Sequence, residues 1–359
     1  MSEEKTCKVD MLAAAREAQW SADTFLGPGS TKVVAPAKVN LVLAVGARRD
    51  DGFHEVTNVM HAVSLHDVLH VRTEPLASSP LDAYRAEDGS LDLPDHLAVV
   101  GPEDNILVSV DCSDKTDLDG AHALNVPARD NIVCKAVDGL ACSLGRGGFE
   151  RVLIRIEKNI PHQGGLGGGS SDAAAVLTAL ASRWHVEPID PRVAEVACSL
   201  GSDVAFFLEG GCALFNGAGE CLVRAVEPMK LPLVLVKPFV GVSTPAAYRA
   251  FDDDPADVPA DVIAAASSVD HAEEMPLFNN LAVAAEGLEP VLVDVREWLS
   301  EQDGVVPGKV LLCGSGATTF AVTDDFSAAC NIAAAARSRG WWARACTFSS
   351  LRAAVVPHR

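Results

Sequence analysis

The sequence predicts an α+β chain of two domains. Three observations carry that prediction. The chain has 359 residues, about two average domains' worth. Period-two apolar runs and helical-period runs alternate along it without an internal repeat. A proline-bounded stretch at 228–232 interrupts the pattern, which gives 32–228 as the first domain and 229–359 as the second.

Residues 1–31 stand apart. A short helix over 11–19 is followed by Gly27-Pro28-Gly29-Ser30, so the segment is expected to be a loosely attached extension. The first domain then opens with strands over 33–35 and 39–45, a turn cluster from Gly46 to Gly52, and a second β region. Residues 73–127 are acidic and read as a surface insertion around a few short strands. A helix is expected over 132–144. A strand follows, in which Val152, Ile154 and Ile156 share a face.

The next segment is the most informative in the chain. Pro161-His162-Gln163-Gly164-Gly165-Leu166-Gly167-Gly168-Gly169-Ser170-Ser171-Asp172 runs directly into an apolar helical face made of Ala173, Val176, Leu177, Leu180, Ala181 and Trp184. Five glycines within six residues free the backbone for positive φ and for close approach to a ligand. Two hydroxyls and a carboxylate stand where capping groups belong. Strand, glycine loop and helix start together make an anion site, because a helix N-terminus presents unpaired N–H groups and positive partial charge. It is not a P-loop, since Ser170 occupies the position of the required lysine. It is not a dinucleotide-binding glycine motif either, since the third glycine is also replaced by Ser170.

Beyond the loop, a helix starts at Pro191, with Val193, Val196, Ala197 and Leu200 on one face and Gly201 closing it. Strands are expected over 204–208 and 212–215. The second domain reads as strand 233–236, helix, acidic loop, helix 288–301, strand 310–313, a Gly314-Ser315-Gly316 turn, strand, helix 326–339 and strand.

Composition limits the function. The net charge of −20 argues against nucleic-acid binding, which wants a basic stripe. That charge is concentrated. Residues 72–130 hold 13 acidic residues against 4 Lys/Arg, and residues 252–274 hold 8 acidic residues and no Lys/Arg. An anionic substrate therefore meets little opposing field elsewhere. The ten cysteines have no metal spacing and read as free thiols of a reducing compartment. The start lacks a secretory signal and no run of 18 apolar residues occurs, so a cytoplasmic protein with no membrane partner is expected. The sequence carries no signal for oligomeric state.

The 161–174 run resembles the nucleotide-binding motif of the GHMP kinases, the family of galactokinase, homoserine kinase, mevalonate kinase and phosphomevalonate kinase. Ala35-Pro36-Ala37-Lys38-Val39-Asn40-Leu41 and Cys313-Gly314-Ser315-Gly316-Ala317-Thr318-Thr319-Phe320 resemble two further blocks of that family. Arg48-Arg49-Asp50-Asp51-Gly52-Phe53-His54-Glu55 and Gly201-Ser202-Asp203-Val204-Ala205-Phe206-Phe207 are similar to one branch of it. That branch phosphorylates the 2-hydroxyl of a cytidine-diphosphate-linked methylerythritol in the non-mevalonate route to isoprenoid precursors. The similarity runs from about 33 to 348, apart from two acidic stretches.

The resemblance implies the two-domain GHMP kinase fold with the active site in the cleft between domains, ATP as phosphate donor and Mg²⁺ with it. It implies that Pro161, His162, Gln163, Gly164, Gly165, Leu166, Gly167, Gly168, Gly169, Ser170 and Ser171 bind ATP. Asn131 joins them, because the family has one Asp-Asn-hydrophobic block opening a helix before the loop. Asp130-Asn131-Ile132 fits that block better than the look-alike Asp104-Asn105-Ile106. Asp203 is implied as the base that takes the acceptor's proton, although Ala205 stands where the family commonly has proline. Lys38 is implied as its catalytic partner, holding Asp203 ionised and lowering the hydroxyl's pKa. Asn40, Phe53, His54 and Tyr248 are implied in substrate binding, with cytosine held between Phe53 and Tyr248 and hydrogen-bonded by His54. The metal ligands stay open, Ser170 and Ser171 being candidates. Two rival readings are another small-molecule kinase of the family, of homoserine or phosphomevalonate type, and a non-catalytic nucleotide-binding sensor. The 48–54 block disfavours the first, and the presence of both Lys38 and Asp203 disfavours the second.

Overall fold

The computed structural model describes residues 29–50, 52–85, 91–116, 122–123, 126–187 and 190–357. Most of the expected N-terminal extension, with its 11–19 helix, and Asp51 of the turn cluster lie outside the described residues.

Two long strands organise the molecule. β1 (Thr31–Arg48) and β2 (His54–Pro75) pair antiparallel along nearly their whole length. The two short strands expected over 33–35 and 39–45 are thus one strand, and Lys38 lies inside it. The pairing shifts register between Pro36 and Lys38 and again between Asn40 and Val42. A proline, which cannot donate to the ladder, sits at the first irregularity. Such bulges re-aim side chains beside active sites, and Lys38 and Asn40 lie between these two.

Around this pair grows a ten-stranded sheet of order β10-β1-β2-β6-β4-β3. Its members are β3 (Leu97–Val100), β4 (Ile106–Asp114), β6 (Glu150–Lys158) and β10 (Phe278–Asn279), with four strands branching from the path. These are β5 (His122–Ala123) on β4, β7 (Cys212–Asn216) on β2, β8 (Cys221–Val226) on β7, and β14 (Ala354–Val355) on β1. β4 corrects the surface-insertion reading of 73–127. It runs parallel to β6, and Ile106 and Val108 are fully buried in the main core. A short apolar run inside an acidic stretch, Ile106-Leu107-Val108, places it in the sheet, where all three residues are buried.

Four helices cover one face of this sheet: α1 (Ile132–Leu144), α2 (Gly168–Arg183), α3 (Pro191–Leu200) and α4 (Ser202–Glu209). α4 corrects the strand expected over 204–208. A short apolar run fits a buried helix as well as a strand. Here Val204 and Phe207, three apart, are both buried in the core that α2 helps to form.

The second sheet is antiparallel, of order β11-β12-β9-β13, from β9 (Pro232–Lys237), β11 (Val305–Leu312), β12 (Thr319–Thr323) and β13 (Trp342–Thr347). β9 is buried on both sides. Val234 and Val236 pack with Val295, Leu299 and Ile332 under the helices, while Leu233 and Leu235 share a core with Leu41 and Val59 of the first sheet. The remaining helices are α5 (Thr244–Asp253), α6 (Ala260–Ser268), α7 (Leu281–Leu288), α8 (Val291–Ser300) and α9 (Phe326–Ser338). The helix expected over 288–301 starts only after Pro290, and α6 occupies part of the expected acidic loop. Among the described residues no helix is long and apolar enough to cross a membrane.

Candidate active site

The glycine loop crosses from β6 to α2. Its course is held by hydrogen bonds from three other segments. Asp67 of β2 accepts from the amides of Asn159 and Ile160 at 2.5 and 2.8 Å. The Leu166 carbonyl accepts from the Lys38 amide at 3.0 Å. The amides of Ala317 and Thr318 donate to the carbonyls of Gln163 and Gly164, both at 3.1 Å. The glycine-containing turn after β11 is therefore docked onto the loop.

Two of the loop glycines meet protein closely. Gly165 and Gly167 have φ of +72° and +73°. A Cβ on Gly165 would fall within the Cys313 carbonyl, and one on Gly167 would stand 2.7 Å from the Phe207 ring and 3.2 Å from Lys38 Cγ. At Gly169, by contrast, a Cβ would meet only Ile132 Cγ2, at an ordinary 3.8 Å. The helix starts at Gly168, with left-handed Gly167 as its cap and no side chain capping it. This corrects the capping role expected of Ser170, Ser171 and Asp172, which lie inside the first turns. The amides of Gly168, Gly169 and Ser170 have no carbonyl four residues back to meet, which leaves them for an anion.

A cavity of about 590 Å³ opens in front of this helix end. Residues 161–170 line it continuously, together with Asn131, Lys38, Asn40, Asp203 and Tyr248. Asn131 caps α1 by accepting from the Val133 amide at 3.1 Å, so a second helix N-terminus opens onto the same space. The look-alike Asn105 is buried and donates to the carbonyls of Arg146 and Gly148, closing the loop after α1. Ser170 lines the cavity. Ser171 does not: it is buried and its hydroxyl has no partner, which corrects its expected place among the ATP-facing groups.

Across the cavity the structure brings Lys38 and Asp203 together, with Nζ 3.4 Å from Oδ2. They come from β1 and from the first turn of α4, elements 165 residues apart. Lys38 is buried and donates to Asn40 Oδ1 at 2.8 Å, and Asn40 donates in turn to Asn58 Oδ1 at 2.8 Å. An ammonium held by one carboxylate and one amide oxygen has few ways to turn. Asn58 is one residue that sequence reasoning missed. It lies on β2, where only the β1–β2 register reveals it. Thr244 is another; its hydroxyl meets that of Ser315, in the glycine-containing turn, at 2.8 Å on the cavity wall.

Beside the loop lies a buried ionic triad that was also missed, and two of its members, Lys158 and Asp172, line the same cavity. Lys158 pairs with Asp172 at 2.7 Å and with Asp67 more closely still. Burial alone would lower the Lys158 pKa, but the two carboxylates reverse this and raise it. Burial raises the Asp172 carboxyl, with the neighbouring Asp67 charge adding to it against the pull of Lys158. The available signal was Asp172 itself, a charge beside the alanine-rich helical face, which needs a partner.

The residues expected to recognise a base are only partly gathered. His54, the first residue of β2, is buried, with its ring 5.3 Å from Tyr248 and tilted by 40°. Tyr248 lines the cavity, and its phenol is pushed up to about 12 by burial and then by the Asp203 charge. Phe53 is 63% exposed, and neither Phe53 nor His54 is part of the cavity lining. Among the described residues no group of three or more His, Cys, Asp or Glu side chains is placed to hold a metal ion.

Comparison with known proteins follows the same lines. Residues 131–211 match the GHMP kinases N terminal domain. The chain is 36% identical over 309 residues to the 4-diphosphocytidyl-2-C-methyl-D-erythritol kinase of Pelotomaculum thermopropionicum, covering 84% of this chain and 92% of the relative. It is 34% identical over 322 residues to the kinase of that name from Mycobacterium tuberculosis, covering 88% of each. The crystal structure of a 4-(cytidine 5'-diphospho)-2C-methyl-D-erythritol kinase superposes with a TM-score of 0.61 at 32% identity, covering 89% of this chain and 99% of that one. The chain belongs to the 4-diphosphocytidyl-2-C-methyl-D-erythritol kinase family, a branch of the GHMP kinases.

Proposed function

We propose that this chain transfers the γ-phosphoryl group of ATP to the 2-hydroxyl of 4-diphosphocytidyl-2-C-methyl-D-erythritol. The observation that carries the reading is the Lys38–Asp203 pair on the wall of the cavity that the glycine loop lines. The triphosphate lies against the open amides of the α2 start. Asp203 accepts the proton of the tertiary alcohol as its oxygen bonds to the γ-phosphorus, and the bond to the β–γ bridging oxygen breaks to release ADP. Lys38 stabilises the charge on that oxygen and favours the ionised form of Asp203. Asn40 and Asn58 hold the ammonium in place. No side chain needs to carry the phosphoryl group, so transfer is direct.

Mg²⁺ fits beside the phosphates. Such an ion takes one or two protein oxygens and keeps water and phosphate oxygens for the rest. The Ser170 hydroxyl, on the cavity wall in the first turn of α2, is the protein oxygen suited to hold it. The ion would neutralise phosphate charge. The same proposal includes a division of the chain near residue 228, a cytoplasmic location and no nucleic-acid partner. The supporting observations are the passage from first to second sheet between β8 and β9 and the net charge of −20.

The test is ADP release with ATP alone and with the cytidylylated acceptor. Acceptor-dependent ADP release that disappears in Asp203→Ala supports the reading. Release independent of the acceptor, or a labelled phosphoprotein trapped during turnover, goes against it.

A further inference from the structure

Three side chains of α5 converge on one imidazole. Tyr248, Phe251 and Asp252 lie at i, i+3 and i+4, one face of the helix. Tyr248 meets the His54 ring at 5.3 Å and Phe251 meets it edge-on at 5.9 Å and 80°. Asp252 Oδ1 lies 2.7 Å from His54 Nε2. The other carboxylate oxygen, Oδ2, is 3.6 Å from Arg48 Nη1, across the turn that joins β1 to β2.

We infer that Asp252 is a positioning residue that sets the tautomer of His54 and thereby selects the nucleobase of the acceptor. The inference rests on the reading above in which His54 meets the base. A carboxylate can only accept, so the 2.7 Å contact places the ring proton on Nε2. In the neutral ring Nδ1 is then an acceptor. Nδ1 has no hydrogen-bond partner within the protein among the described residues. The ring cannot readily turn to exchange its nitrogens, because Tyr248 and Phe251 pack against it and it is buried. In the neutral ring the remaining nitrogen, Nδ1, is thus a fixed acceptor.

A fixed acceptor distinguishes the two pyrimidines. The exocyclic group of cytosine is an amine and donates, whereas uracil carries a carbonyl in the same place and would set two acceptors against each other. A site built to receive a donor rejects an analogue that lacks it, because its own polar atom is left unpaired. Asp252 touches neither base nor phosphate in this arrangement and acts only through His54. The base lies across a diphosphate from the reacting alcohol, so loss of this contact belongs in KM rather than kcat.

The experiment has two arms. In ligand-free protein labelled with ¹⁵N-histidine, long-range ¹H–¹⁵N spectra report which ring nitrogen of His54 carries the proton, the signal being assigned by its loss in His54→Gln. The expected result is an Nε2-protonated ring in the wild-type chain and a mixture of tautomers in Asp252→Ala. In the kinetic arm, Asp252→Ala should raise KM for the cytidylylated acceptor about tenfold, and its preference over the uridylylated analogue should fall. Its kcat and its KM for ATP should stay within about twofold of wild type, and Asp252→Glu should restore part of the preference. An Nδ1-protonated ring in the wild type, or an Asp252→Ala chain with unchanged KM and unchanged preference, overturns the inference. A wild-type chain that fails to turn over the cytidylylated acceptor defeats the functional reading instead, and the tautomer spectra then judge Asp252 independently of it.

Discussion

The two ends of the active site are built differently. At the phosphate end the contact groups are backbone amides, and the segment bearing them is tied to β1, β2 and the turn after β11. Beside it stands a buried ionic triad, of which Lys158 and Asp172 also line the cavity. At the proposed base end the groups are side chains, set between the first residue of β2 and one face of α5, with Phe53 63% exposed. A backbone cradle needs its whole surroundings to hold shape, because every amide position depends on the chain path. A side-chain corner can lose one member and keep its framework. Damage at the first end should therefore appear as lost stability, and damage at the second as lost affinity alone.

The largest expected effect lies between the two ends. Asp203→Ala should lower kcat by roughly 10²–10⁴ while nucleotide binding, followed by calorimetry, stays close to wild type. A variant that retained most of its turnover would remove Asp203 from the chemistry. At the phosphate end, Lys158→Met leaves two carboxylates buried without their cation, a loss of about 3–5 kcal/mol in denaturant unfolding. Gly165→Ala combines a left-handed φ with a Cβ placed within the Cys313 carbonyl, so about 2–4 kcal/mol is expected. If either variant unfolded at the wild-type midpoint, the view of a braced cradle would fail.

At the base end, Phe53→Ala should leave Tm unchanged and raise KM for the cytidylylated acceptor by about 2–10-fold. A fall in Tm without a change in KM would reverse the comparison for this residue. The smallest effect is at Tyr248. The chain has only two tyrosines, so in Tyr84→Phe the absorbance titration reports Tyr248 alone. Its midpoint is expected near pH 12, above the ordinary phenol value, because burial and then the Asp203 charge disfavour the phenolate. The sign follows from the raised value. Folding favours the neutral phenol, so its contribution to stability is full below the unfolded pKa of about 10 and is lost as pH rises toward 12. An ordinary midpoint would mean that the phenol is neither buried nor held beside the Asp203 charge.

Legibility followed the same division. The glycine loop is contiguous, and strand, loop and helix start can be read from 152–181 because their periodicities change in order along the chain. The helix at 132–144 was readable for the same reason, with Asn131 as its cap. Segments with one kind of pattern but two possible partners were not readable. The 204–208 run was as consistent with a strand as with α4, and only packing against its neighbours decided. β4 was concealed because the acidic residues around it made the stretch resemble surface, although Ile106, Leu107 and Val108 are all buried. The Lys158 triad draws one member each from β2, β6 and α2, so no local pattern contains it.

Local chemistry, then, was settled by the amino-acid sequence alone: where the chain must bend at glycine, and which carboxylate and ammonium were available. Those follow from residue type and spacing within a few turns of chain. Tertiary structure alone decided which distant groups share the cavity. Lys38 meets Asp203 because bulges in β1 and the start of α4 place them 3.4 Å apart. His54 meets Asp252 because α5 lies across the first residue of β2. Such contacts join residues more than 160 positions apart, and their distances are set by sheet register and core packing, which no local window of sequence contains.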